Sequence, residues 1–198
     1  DQIKAELAPN GILRAGVNLA NMLLVTNTAQ NGDPIGVSPD MAAEIARRLG
    51  VGVSYETFAS PGAVADAGSE DGWDICFIAD EPERAESISF IAAYLEIEVT
   101  YLVQEDSNFQ TVEEVDSAGT RIAVADRAAY VLYLTRSLKN ATLHRAEGLP
   151  AAFELFKSGG FDALAGLRPA LLENSKTMDG TRVVDGCYTS IQQALGTK

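Results

Sequence analysis

The stretch Ile75–Arg84, ICFIADEPER, poses a chemical question. An apolar run from Ile75 to Ala79 stops at Asp80-Glu81-Pro82-Glu83-Arg84. A guanidinium is planar, offers paired donors and stays charged at any useful pH, so Arg84 could fork onto a carboxylate. It could equally pair with Glu81 or Glu83 at the surface. Other reactive side chains are sparse. His144 is the only histidine, and no second His or Cys stands at metal-ligand spacing, so neither a zinc site nor a Ser-His-Asp triad is supported. His144 reads as a solvated residue at the head of a strand or loop. Cys76 lies in the apolar run and Cys187 near the end; both read as buried free thiols rather than a disulfide. No metal and no cofactor is implied.

The elements that must position these residues follow from periodicity. Ile12–Val17 reads as a short strand, and Asn27 to Pro34 as a turn cluster. Ser38-Pro39-Asp40 opens a helix with Ser38 as cap; Met41, Ile45 and Leu49 recur at helical spacing and Gly50 is its left-handed end. Val51–Phe58 alternates as a strand, Pro61–Ala67 is a short helix, and Trp73–Ile78 is a continuous apolar strand of a parallel sheet. Glu96–Gln104 is a further strand. The same grammar then repeats. Thr111–Val115 is a short helix with Thr111 and Glu114 in capping-box spacing, Arg121–Ala125 a strand and Tyr130–Leu138 a helix. Thr142–His144 is a weak strand, Leu149–Lys157 a helix, Phe161–Ala165 a strand, Pro169–Ser175 a helix and Thr181–Val184 a last strand. Strands alternating with helices, twice over, imply an α/β protein of two lobes with a ligand cleft between them.

The totals agree. A chain of 198 residues is long enough for two lobes with separate cores. No apolar stretch approaches the ~18 residues of a membrane helix, so no membrane insertion is expected. The net charge of −13 argues against nucleic acid and anionic membrane as partners, while leaving room for a local basic pocket. The start, DQIKAELAPNG, has no basic-then-apolar leader pattern. The chain is therefore cytosolic, or has already lost a signal peptide.

The order of segments resembles the type 2 periplasmic substrate-binding proteins, in the branch serving polar amino-acid ABC importers (bacterial extracellular solute-binding proteins, family 3). The carrying stretches are ILRAGVN (12–18), GVSPDMAAEIARRLGVGVSYE (36–56), WDICFIADEPERAESISFIAAYLEIEVTYLV (73–103), FQTVEEVDSAGTRIAVADRAAY (109–130) and FKSGGFDALAGLRPALL (156–172). The resemblance implies two lobes joined by two hinge strands. Lobe 1 would be residues 1–99 with the chain end, about 188–198, returning to it, and lobe 2 residues 100–187. It implies a periplasmic or extracytoplasmic protein with its signal peptide removed, an importer permease as partner, no enzymatic activity, and a ligand carboxylate held by the Arg that matches Arg84. Asn18, Asn21, Ser60 and Asp80 fall where lobe 1 meets ligand, although turn capping explains the asparagines equally well. Phe58 could wall the cleft or pack in the core; Trp73, Tyr94 and Tyr101 read as packed.

The departures point to a ligand class. The loop before Arg84 is shorter than in the family and lacks its usual Thr. In lobe 2 the usual Gly-Thr turn is replaced by ADRAAY, so Asp126, Arg127 and Tyr130 would face the cleft. Where the family places an Asp for a ligand ammonium stand Leu167 and then Arg168. An α-amino group without a carboxylate partner would be buried at a cost of several kcal/mol. A small organic anion or carboxylate is therefore expected rather than a standard α-amino acid. The family also continues past CYTSIQQALGTK; a chain lacking that tail would expose apolar surface on lobe 1. The rival readings are a cyclohexadienyl-dehydratase-like enzyme using Asp80, Glu81 or Asp126 as acid, and the ligand-sensing domain of a receptor.

Overall fold

A computed structural model describes residues 2–198. The chain divides into two compact units: the residues up to Leu95 together with Gln193–Lys198, and Glu96–Gln192. They are called units 1 and 2.

Unit 1 begins with the short helix α1 (Gln2–Leu7) and strand β1 (Ile12–Asn18). The turn cluster that follows closes a small hairpin, β2 (Asn27–Thr28) with β3 (Pro34–Ile35). Helix α2 (Val37–Leu49) starts earlier than its sequence suggests. Ser38 is not its cap but lies inside it, 1% exposed; the cap position is Gly36, at φ 147°, with no side-chain bond. The reason is steric: a Cβ at Gly36 would come within 2.3 Å of the Leu24 carbonyl oxygen. Gly50 ends α2 in the left-handed conformation expected of it, its N–H bonding back to Ala46 and Arg47. Then come β4 (Gly52–Phe58), α3 (Pro61–Ser69), β5 (Ile75–Asp80) and β6 (Ser89–Phe90).

β1 lies between β4 and β5 and runs parallel to both, with Asn18 opposite Phe58 and Val17 opposite Phe77. Both faces of this sheet are covered. Leu13, Ala15, Val17, Ile75 and Phe77 pack with Ala42 and Ala46 of α2. Cys76 and Ile78 point the other way, onto Trp73, Val64 and Ile88. Two covered faces explain why β5 is apolar at every position up to Ala79 rather than alternating. Trp73 is fully buried, as expected, and its Nε1 donates to the Val64 carbonyl at 2.8 Å.

Unit 2 opens with β7 (Leu95–Gln104), whose first residue is the last of unit 1. It continues through β8 (Arg121–Ala125), α4 (Ala129–Ser137), β9 (Thr142–Ala146), α5 (Gly148–Lys157), β10 (Ala163–Leu167), α6 (Arg168–Thr177) and β11 (Thr181–Val183). The strand order is β7-β10-β8-β9, with β11 on β7; β8 is parallel to both β9 and β10. A last strand, β12 (Thr189–Thr197), begins in unit 2 and ends in unit 1, where Gly196 pairs with Phe90.

Three expectations fail here. Thr111–Val115 is a turn, not a helix: Thr111 is held in a bridge to Asp185, and five residues do not repay helix nucleation. Glu114 still reaches back, accepting from the N–H groups of Gln110 (2.6 Å) and Thr111 (3.2 Å). His144 is not solvated; it lies within β9, half-buried, edge-on to Phe161 at 5.1 Å between ring centres. The cysteines are both free, but only Cys76 is buried; Cys187 is exposed in the loop before β12.

Candidate functional site

Because β4, β1 and β5 are parallel, their carboxyl ends share one edge of unit 1. In open parallel sheets this edge is where small molecules bind. The β5 end carries the charged turn. Asp80 is exposed, whereas Glu81 and Arg84 are 6% and 5% exposed. The turn folds back on the strand: Ala85 N–H donates to the Glu81 carbonyl, and Arg84 begins a single 3-10 turn, Arg84–Glu86. The Arg84 Nη1 donates to the Ala79 carbonyl at 3.1 Å. Its charge is felt by Cys76: burial pushes that thiol up to about 12, opposed by the Gly196 N–H and then by Arg84. Arg84 is therefore no surface residue. A buried guanidinium is costly unless hydrogen-bonded, so its place is set by contacts rather than by solvation.

At the β1 end, the Asn18 Oδ1 accepts from Ala20 N–H (3.0 Å) and the Asn21 Oδ1 from Leu23 N–H (3.1 Å). Asn21 is 3% exposed. Both side chains cap the turn that follows the strand. At the β4 end, the Ser60 hydroxyl accepts from Ala63 N–H at 3.2 Å and caps α3 ahead of Pro61. Phe58 is half-buried against the Trp73 cluster. These three polar side chains build the edge.

In unit 2 the parallel strands β8 and β10 likewise end side by side. After β8, Asp126 pairs with Arg145 at 3.2 Å. Arg127 is exposed and in the left-handed region, φ 58°. Helix α4 then starts with Ala128 at its cap and no side-chain cap bond. Tyr130, expected at an open face, is core: it is 3% exposed, its hydroxyl is enclosed, and burial raises its pKa well above the usual tyrosine value. At the end of β10, Leu167 is 8% exposed and Arg168 is the first residue of α6. The Arg168 Nε meets the Glu98 Oε2 at 2.8 Å, and its Nη2 donates to the Gly186 carbonyl. The sequence reading left Arg168 unmatched; the structure gives it an acid partner.

Arg84, Asp80, Asn18, Asn21 and Ser60 thus gather at one edge of unit 1. Arg127 and Arg168 stand at one edge of unit 2, and Tyr130 lies beneath. Sequence reasoning missed the pairing of Glu98 with Arg168, seventy residues apart, for which no local signal exists. It also missed the outward apolar residues of the loop after β1. Among the described residues no cluster of His, Cys, Asp or Glu could hold a metal ion, and no helix is long and apolar enough to cross a membrane.

Each of the two α/β units thus has parallel strands whose carboxyl ends share one edge, with Arg84 buried at that of unit 1. The profile of the bacterial extracellular solute-binding proteins, family 3, matches residues 13–191, and the chain belongs to that family. Solved structures agree on the fold. The arginine-bound form of a truncated ArgBP from T. maritima superposes with a TM-score of 0.78 at 21% identity, covering 98% of this chain and 91% of that one. An amino acid ABC transporter substrate-binding protein, AbpA from Streptococcus pneumoniae, bound to L-arginine, gives 0.79 at 17% identity, with 97% and 83% covered. The ancestral amino acid-binding protein AncCDT-1, a precursor of cyclohexadienyl dehydratase, gives 0.78 at 23%, with 99% and 86% covered. No curated protein matches the chain.

Proposed function

We propose that this chain is the solute-capturing component of an ABC importer, working outside the cytoplasm, and that its ligand is a small organic anion bearing a carboxylate. Arg84 carries this reading. Its guanidinium is held at the carboxyl edge of a parallel sheet by the Ala79 carbonyl. A guanidinium has five N–H donors, enough to hold a main-chain carbonyl and a carboxylate at once. Leu167 adds support. It is apolar where the family resemblance gives an acid for a ligand ammonium, and the arginine beside it is already met by Glu98. The importer role rests on the family and on the description of AbpA.

A second reading takes an α-amino acid, and it rests on Asp80. This exposed carboxylate is one residue beyond Ala79 and could receive an ammonium. A third, enzymatic reading rests on the likeness to a dehydratase precursor; aromatic product from prephenate or arogenate would favour it.

One calorimetric experiment separates these readings. Organic acids and amino acids are titrated into the wild type, Arg84→Lys, Arg84→Gln and Asp80→Asn, each checked by circular dichroism for native fold. A carboxylate ligand is expected to lose about 1.5–3 kcal/mol, roughly tenfold or more in affinity, in Arg84→Gln, with partial retention in Arg84→Lys. Asp80→Asn leaves or improves the binding of a plain anion and weakens that of an amino acid. Unchanged binding by Arg84→Gln overturns the assignment of Arg84.

A further inference from the structure

The loop after β1 turns three large apolar side chains into solvent. Leu19 is 42% exposed, Met22 66% and Leu23 40%. Single exposed apolar residues are ordinary, but three within five positions make a patch. The loop is not slack. Leu19 N–H donates to the Phe58 carbonyl, and Leu24 and Val25 N–H both donate to the Asn21 carbonyl. The Leu24 carbonyl in turn accepts from Ser38 N–H. The Asn18 and Asn21 side chains take two more donors of the same segment. Leu24 and Val25 are buried, at 2% and 9% exposed. The backbone is thus fixed, with residues 24 and 25 turned in and residues 19, 22 and 23 turned out.

The place matters. Val17 of β1 lies opposite Phe77 of β5 in parallel register. Two residues further along the chain from each are Leu19, the first residue after β1, and Ala79 of β5, whose carbonyl accepts from Arg84. Apolar patch and guanidinium therefore stand at the same edge of the same sheet. We infer that Leu19, Met22 and Leu23 form an apolar subsite for the body of the ligand whose carboxylate meets Arg84. The ligand is then an amphipathic organic acid, with a branched aliphatic or aromatic body, and not a cationic amino acid. Asn18 and Asn21 are positioning residues: they hold the loop so that the three side chains face outward. This inference rests on the reading of Arg84 as the carboxylate clamp.

The test is calorimetry with four probes, phenylacetate, 4-methylpentanoate, acetate and arginine, on wild type, Arg84→Gln and the double variant Met22→Ser/Leu23→Ser. The serine substitutions are at exposed positions, so the fold is retained. Phenylacetate or 4-methylpentanoate should bind the wild type about tenfold or more tighter than acetate. The double variant should lose that advantage, its affinity for the apolar acids falling about tenfold toward that for acetate, and the heat-capacity change of binding should become less negative. If the double variant binds the apolar acids as tightly as the wild type while Arg84→Gln does not, the subsite is wrong and the clamp survives. If both variants bind them unchanged, clamp and subsite both fall. Tighter binding of arginine than of either apolar acid overturns the ligand class, and no binding of any acid overturns the whole reading.

Discussion

Asp116 and Arg84 are both charged residues held by the main chain, with different consequences. The Asp116 carboxylate accepts from the N–H groups of Lys139 (2.9 Å), Asn140 (2.8 Å) and Ala141 (2.9 Å). Burial works against its ionisation, yet these three donors outweigh it and hold the carboxyl below its usual value. Its contribution is therefore complete above the unfolded carboxyl value of about 3.9 and disappears as pH falls through the lower, folded value. Asp116→Ala should lower the unfolding free energy by about 1–2 kcal/mol near neutral pH. The gap between variant and wild type in urea titrations should close in acid. The Arg84 Nη1 donates to the Ala79 carbonyl at the carboxyl edge of the parallel strands, where the proposed ligand carboxylate would meet it. The motif around Arg84 marked it in the sequence, but nothing there said that it would be buried. The match of Arg168 with Glu98 was equally hidden, because it depends on strand pairing and not on spacing.

At the scale of elements, doubly covered strands were the most legible. β5 reads as an unbroken apolar run because Phe77 and Cys76 face opposite cores. What was illegible came from contacts between segments distant in the chain. The start of α2 is displaced from Ser38 because Leu24 crowds Gly36. β12 was not read as a strand because TSIQQALGT shows neither alternation nor a continuous apolar run. The packing of β1 makes a quantitative expectation possible. A Cβ at Gly16 would lie 2.7 Å from the Trp73 ring, and that ring is fixed by its bond to Val64. Gly16→Ala should therefore destabilise unit 1 by about 1–3 kcal/mol. Thermal unfolding followed by Trp73 fluorescence measures it; a change below 0.5 kcal/mol, the usual range of a surface substitution, would sink the packing argument.

For the whole chain, unit 2 is one uninterrupted segment that falls between the two sequence segments of unit 1. The two points where the chain leaves and re-enters unit 1 are neighbours, since Tyr94 N–H donates to the Gln193 carbonyl at 2.9 Å. The returning residues are structural: Ala194 and Leu195 are buried, and Leu195 accepts from Ile91 N–H. Deleting Gln193–Lys198 should lower the stability of unit 1 by about 2 kcal/mol or more. Hydrogen exchange should show β1 and β5 amides losing protection while those of β8 and β10 keep theirs. Equal loss in both sets would contradict the division into units. Alternating strands and helices foretold two α/β bodies from sequence, and the family resemblance set the crossings at about 99 and 188; the units divide at Leu95/Glu96 and Gln192/Gln193, inside β7 and β12, which run through without a break in pattern.

The contrast between the two thiols has a practical side. Cys76 is enclosed, with its pKa pushed up to about 12, and Cys187 is open to solvent. Among its cysteines the molecule therefore presents a single addressable thiol. A maleimide fluorophore would attach at Cys187, beside the glycine that receives the Arg168 guanidinium, and leave the interior untouched. The same atom would tether every copy to a sensor surface in one orientation, ready for the titrations that decide its ligand.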